Sequence, residues 1–172
     1  MNDLASRWTG GKAVNLRRQP IPWAYRVFFR QVGIDPDVQR TPIEQVALDR
    51  MQHGNFRTGG NVEDALTVGI AETGVALVAL DAGALAGPLC LGLAAREESM
   101  AGGRRPLSSG QLVLADDEGV LGVLFGDLSP RAEVGRSTRR VLIAAIQVKG
   151  VPEVSCSEAL WTATVLLVPA PD

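Results

Sequence analysis

Apolar residues recur along this chain with two different rhythms. Up to about residue 74 they return every third or fourth position, and after it they come in short unbroken runs. The first rhythm predicts helices, because positions three and four apart share one helix face. Pro22 opens the first of them, where a missing N–H costs nothing. Ala24, Val27, Phe28 and Gln31 share its face, and Gly33 stops it. Thr41, Pro42 and Glu44 spell a capping box for a second helix that carries Ile43, Val46, Ala47 and Met51 and stops at Gly54. Asn61 is placed to cap a third, with Asp64 three residues on, Leu66 and Ile70 on one face, and Gly74 at its end.

The second rhythm predicts strands over Ala76–Leu80, Leu89–Ala94, Gln111–Ala115, Val120–Phe125 and Val141–Val148, each bounded by Gly, Pro, Asp or Ser. Asp116-Asp117-Glu118-Gly119 reads as a hairpin connection. Ser155–Val168 suits either a last helix or a last strand. Val75–Ala95 has nominally the length of a membrane span. Asp81, Gly83, Gly87 and Pro88 divide it into two buried strands instead. Three helices followed by five strands predict an α+β fold with antiparallel pairing and helices on one side. Residues 1–20 form a polar leading segment, and 21–172 form a single domain.

Composition sharpens this picture in three places. With 172 residues, 46% of them hydrophobic and 21% charged, the chain can build its own core, which excludes a disordered, coiled-coil or collagen-like protein. A net charge of −2 argues against attachment to nucleic acid by bulk positive charge. Of the 17 basic residues, however, 15 are Arg, whose planar fork suits phosphate and carboxylate. One histidine, His53, and two distant cysteines, Cys90 and Cys156, exclude a zinc site of the usual kind, so no metal and no cofactor is expected. The cysteines read as buried thiols. The polar start from Met1 to Trp8 lacks the apolar stretch of a signal peptide, which points to a cytoplasmic protein without a membrane attachment.

Unaided, the residues offer modest chemistry. Gly59-Gly60-Asn61 before a helix is an anion-site candidate or a turn that needs glycine. Arg131, Arg136, Arg139 and Arg140, set among Ser129, Ser137 and Thr138, form either a phosphate-gripping loop or a solvated one with Arg paired to Glu133. Arg104 and Arg105 add a second possible contact. Asp127, after Phe125-Gly126, is the polar group best placed to line a pocket.

From Ala24 to about Val151 the order of motifs resembles the B3/B4 domain of the bacterial phenylalanyl-tRNA synthetase beta chain, and more closely the free-standing proteins made of that domain. The resemblance is carried by Tyr25-Arg26-Val27-Phe28-Phe29-Arg30 through Gly33-Ile34-Asp35-Pro36, by Pro42 to Met51, and by Asp64, Gly74 and Asp81. Gly110-Gln111-Leu112-Val113-Leu114-Ala115-Asp116 and Ser137-Thr138-Arg139-Arg140-Val141-Leu142 continue it. It implies a sandwich with two β layers and a helical layer. It also implies recognition of tRNA or of its aminoacylated acceptor end, through a pocket of Leu66, Val78, Phe125, Gly126 and Ala144. Arg131, Arg136, Arg139 and Arg140 would then meet phosphates. The family's threonine, histidine and strand glutamate fall at Leu66, Val78 and Ala144, which cannot satisfy a tyrosine hydroxyl, so tyrosine editing is not expected. Two alternatives stay open: a trans-acting aminoacyl-tRNA deacylase, with Asp127 or Thr67 holding the water, and a module for a free amino acid or similar metabolite. A larger protein partner is also compatible with the resemblance.

Overall fold

The computed structural model describes residues 15–54, 56, 59–103 and 106–168. Among them are a 3-10 turn at Leu16–Arg18 and helices α1 (Pro20–Gln31), α2 (Pro42–His53), α3 (Asn61–Thr73) and α4 (Glu153–Val165). The strands are β1 (Ala76–Asp81), β2 (Cys90–Leu93), β3 (Leu112–Asp116), β4 (Gly119–Val123) and β5 (Val141–Ile146). With two antiparallel sheets the protein is α+β, a content compatible with the sandwich that the resemblance implies. Two compact units are formed, one of residues 1–78 and 143–172, the other of 79–142.

In the first unit α2 starts as expected. The Glu44 carboxylate accepts from the Thr41 N–H and hydroxyl at 3.2 and 2.9 Å. That cap is part of an ion cluster centred on the buried pair Arg26 and Glu44. Arg26, 4% exposed, donates to Glu44 at 2.7 Å, to Asp37 at 2.6 Å and to the Pro36 carbonyl at 3.3 Å. Arg17 adds a contact to Glu44 at 2.9 Å. Burial pulls the Arg26 pKa down, but Asp37 and Glu44 outweigh it and the guanidinium is held more firmly charged than usual. One arginine of α1 therefore ties the middle of the α1–α2 loop, at Pro36 and Asp37, to the first turn of α2.

Helix α3 is capped by Gly60, not by Asn61, which becomes its first residue. Gly60 adopts φ 147°, where a side chain is strained, and Asp64 reaches back to accept from the Gly59 N–H at 3.1 Å. The far end stops at Gly74 in the left-handed conformation, as expected. Along α3, Gly69 allows close approach: a Cβ there would sit 2.7 Å from Leu77 and 3.2 Å from the Ala159 carbonyl of α4. The ambiguous C-terminal segment is the helix α4, with Cys156, Ala159 and Ala163 on its buried side. Its small buried residues and apolar outer face erase the helical period, which is why periodicity left it undecided.

Tyr25 is fully buried in this unit. Its hydroxyl accepts from the Ala76 N–H at 3.0 Å and donates to the Ile146 carbonyl at 2.6 Å, so it joins the first residue of β1 to the last of β5. Burial pushes the phenol pKa up to about 12, against the opposing pull of the Ala76 N–H; the nearby Cys156 adds to the rise.

In the second unit β2, β3 and β4 form an antiparallel sheet in that order. The expected hairpin is present, with Asp116 opposite Gly119 and a register shift after Leu114. Ala94, Val113 and Val120 form the core on one face, with Met100 and Leu107 against them. Two expectations are corrected here. β2 is a surface strand and not a buried one, because it lies at the sheet edge with Leu91 and Leu93 exposed. Cys90, on the same strand, is accordingly exposed, while Cys156 is buried as expected.

Candidate functional site

The residues singled out from the sequence fall in both units, and each group has its own local geometry. In the first unit Leu66 and Thr67 are half-buried on α3, Val78 on β1 and Ala144 on β5. The same unit has a small polar recess of about 190 Å³ at the C-terminal end of α3, between Gln19, Ile43, Glu72 and Gly74. That is below the size of an ordinary small-molecule site, and none of the expected pocket residues lines it. The start of α3 does not offer a free anion position either. Its first-turn carboxylates already fold back there, with Asp64 on the Gly59 N–H and Glu63 filling the space beside Gly59.

In the second unit Phe125, Gly126 and Asp127 share one tight turn after β4. The Gly126 N–H donates to the Val123 carbonyl at 2.9 Å, and the Val123 N–H donates to the Asp127 carbonyl at 2.9 Å. Gly122 lets the returning segment lie close, since a Cβ there would meet Leu128 at 2.6 Å and the Asp127 carbonyl at 2.9 Å. Phe125 has φ 62°, a conformation that costs an aromatic residue about 1–2 kcal/mol and that the tight turn imposes. The Asp127 carboxylate is exposed.

The arginines divide. Arg131 is half-buried and engaged: it donates to Asp116 at 2.7 Å, to the Ala84 carbonyl at 2.8 Å and to Glu118 at 3.2 Å. Glu133, the partner in the solvated-loop alternative, is not among these Arg131 contacts. Asp116, whose side chain is fully buried, also accepts from the N–H groups of Ala86 and Glu118 at 2.8 and 3.0 Å. Arg131 first, then these backbone donors, overcome burial and hold its carboxyl down at about 2. Arg136, Arg139 and Arg140 are exposed, and among the described residues none of them forms an ion pair. Arg104 and Arg105 lie outside the described residues.

Two residues far apart in the sequence fix this loop. The Thr138 hydroxyl donates to Asp81 at 2.7 Å and accepts from the Gly135 N–H at 3.0 Å. The other Asp81 oxygen accepts from the Gly83 N–H at 2.8 Å. Thr138 is the main reason that Asp81 stays below the usual carboxylate range; Gly83, Ala84 and the charge of Arg140 add to it. Asp81 and Thr138 are 57 positions apart, so no spacing rule joins them. The one local signal is Asp81-Ala82-Gly83, which predicts a turn closed by the aspartate side chain.

Fold and site together define an α+β protein with three exposed arginines on a carboxylate-anchored loop, none of them in an ion pair among the described residues. No family model matches the chain. Over 142 residues, 79% of its length, it is 32% identical to the phenylalanine–tRNA ligase beta subunit of Tropheryma whipplei (strain Twist). The matched segment is 14% of that subunit, so the chain is related to one portion of a much longer protein. Among the described residues, no helix is long and apolar enough to cross a membrane, and no group of three or more His, Cys, Asp or Glu is placed to hold a metal ion.

Proposed function

We propose that residues 21–172 act as one B3/B4-like domain that recognises tRNA or the aminoacylated acceptor end of tRNA. The observation that carries this reading is the 32% identity, over 79% of the chain, with a subunit of a tRNA ligase. Arg136, Arg139 and Arg140 supply the phosphate contacts. Arg131 acts from behind, since its guanidinium is already taken by Asp116. Three arginines against an overall charge of −2 make a local cationic surface and not a general affinity for polyanions. A larger protein partner that adds further RNA contacts is compatible with this reading.

The test is binding of uncharged and charged tRNA over a range of salt. The expected log–log salt slope falls by about one unit for each of Arg136→Ala, Arg139→Ala and Arg140→Ala. Absent binding, or binding indifferent to salt, refutes the proposal. One observation favours the deacylase as a second reading: the strained Phe125 backbone sits two residues before the exposed carboxylate of Asp127. In that case charged tRNA releases its amino acid at catalytic protein levels and Asp127→Ala abolishes the release. Turnover unchanged in Asp127→Ala sinks that assignment.

A further inference from the structure

The loop that carries Arg136, Arg139 and Arg140 is exposed at its tip and tied down along its length. Three hydrogen bonds join it to Asp81 and Ala82. The Asp81 N–H donates to the Ala132 carbonyl at 2.9 Å, and the Ala82 N–H donates to the Arg140 carbonyl at 3.0 Å. Between them the Thr138 hydroxyl donates to the Asp81 carboxylate at 2.7 Å. The tip is also closed on itself twice. The Thr138 N–H donates to the Gly135 carbonyl at 3.1 Å, and the Gly135 N–H donates back to the Thr138 hydroxyl at 3.0 Å. Arg136 and the exposed Ser137 form the corner of that turn. At the entrance of the loop, Ser129 and Ala132 are fully buried.

Asp81 has two opposite effects on an anion that meets these arginines. Its negative charge lies close enough to Arg140 for the two to attract, so by charge alone it opposes a phosphate there. Its two oxygens, however, accept from the Thr138 hydroxyl and from the Gly83 N–H, which makes it the anchor of the turn. The anchor acts on the cost of binding. A loose loop loses backbone freedom at each residue when a ligand orders it, whereas a loop ordered beforehand has already lost that freedom in folding.

We propose that Thr138, held by Asp81, is a positioning residue for the phosphate contact. It presets the backbone from Gly135 to Arg140, so that the three guanidinium groups meet the tRNA backbone without the loop being ordered at the moment of binding. This role rests on the tRNA reading above and names residues that set the affinity without touching RNA. Two substitutions separate positioning from charge. Thr138→Val alters no charge but leaves Asp81 and the Gly135 N–H without the hydroxyl they share. Asp81→Ala removes a negative charge beside the arginines, which tightens phosphate binding if charge decides and weakens it if the anchor decides. Glu133 supplies the control, because it is an exposed acid of the same loop whose carboxylate makes no hydrogen bond among the described residues.

The experiment titrates uncharged tRNA against the full chain and its variants over a range of salt, with circular dichroism and urea unfolding to show that each variant is folded. Thr138→Val is expected to bind about tenfold more weakly with an unchanged salt slope, since all three guanidinium groups remain and only the ordering cost is added. Thr138→Ser keeps the hydroxyl and is expected to restore wild-type affinity. Asp81→Ala is expected to weaken binding by a similar factor, whereas Glu133→Ala, which loses the same charge, binds at least as tightly as wild type. Backbone amide relaxation is expected to show faster motion from Arg136 to Arg139 in Thr138→Val than in wild type. The role is overturned if Thr138→Val binds like wild type, or if its salt slope drops by a unit as in Arg139→Ala. It is equally overturned if Thr138→Ser stays as weak as Thr138→Val, or if Asp81→Ala tightens binding alongside Glu133→Ala. A wild-type chain without salt-dependent binding refutes the tRNA reading itself and this role with it, while the variants bear on the role alone.

Discussion

Asp116 gives the second unit a defined acid limit. Its side chain is fully buried and its carboxylate receives Arg131 at 2.7 Å, Ala86 at 2.8 Å and Glu118 at 3.0 Å, which lowers its pKa from 3.8 to about 2. A depressed carboxylate pKa means that the unfolded chain binds the proton more tightly. The stabilisation is therefore complete above pH 4 and drains away as pH falls toward 2. A difference of nearly two pH units corresponds to about 2 kcal/mol at neutral pH. Asp116→Asn keeps the shape but presents an NH2 where a donor now points, and leaves Arg131 half-buried with only Glu118 and a carbonyl. The expected cost is about 2–4 kcal/mol. Urea-unfolding midpoints measured from pH 7 to pH 2 on both proteins isolate the effect, since Asp37 and Asp81, also held low, contribute equally to both. The wild-type curve should fall toward the variant curve between pH 4 and pH 2. Parallel curves across that range would refute the assignment of the acid limit to Asp116.

The first unit offers two comparable tests. Glu44→Ala strands Arg26, 4% exposed, with only Asp37 and the Pro36 carbonyl, and removes half of the α2 cap; an urea-unfolding loss of about 3–5 kcal/mol is expected, and a loss under about 1 kcal/mol would contradict the buried-pair account. Tyr25→Phe leaves the Ala76 N–H and Ile146 carbonyl without their shared partner and should cost about 1–3 kcal/mol. Because the chain has one tyrosine, tyrosinate absorbance reads this group directly: it should titrate near pH 12, with stability intact below the ordinary phenol value of 10.0 and lost as pH rises through the folded one. Ionisation close to 10 in the folded protein would show that the hydroxyl is not buried.

What the chain determines by itself is local. The α2 capping box, the Gly54 and Gly74 stops, the succession of strands along the chain and the Asp116–Gly119 hairpin were legible because each depends on residues a few positions apart or on a short apolar run. The α+β class followed from their order along the chain. What only the tertiary structure decided depends on contacts between distant positions. Whether β2 is buried depends on its place at the sheet edge, which its own apolar composition does not encode. Arg131 and Arg136 look alike in a list of arginines. One is committed because a buried carboxylate 15 positions earlier folds against it, and the other stays in water. The same holds for Asp81 and Thr138, which meet only when the end of β1 and the loop before β5 come side by side. A hydrogen bond or ion pair is short-ranged, so which polar residues are structural and which remain free for a ligand is set by the fold that brings them within 3 Å of each other.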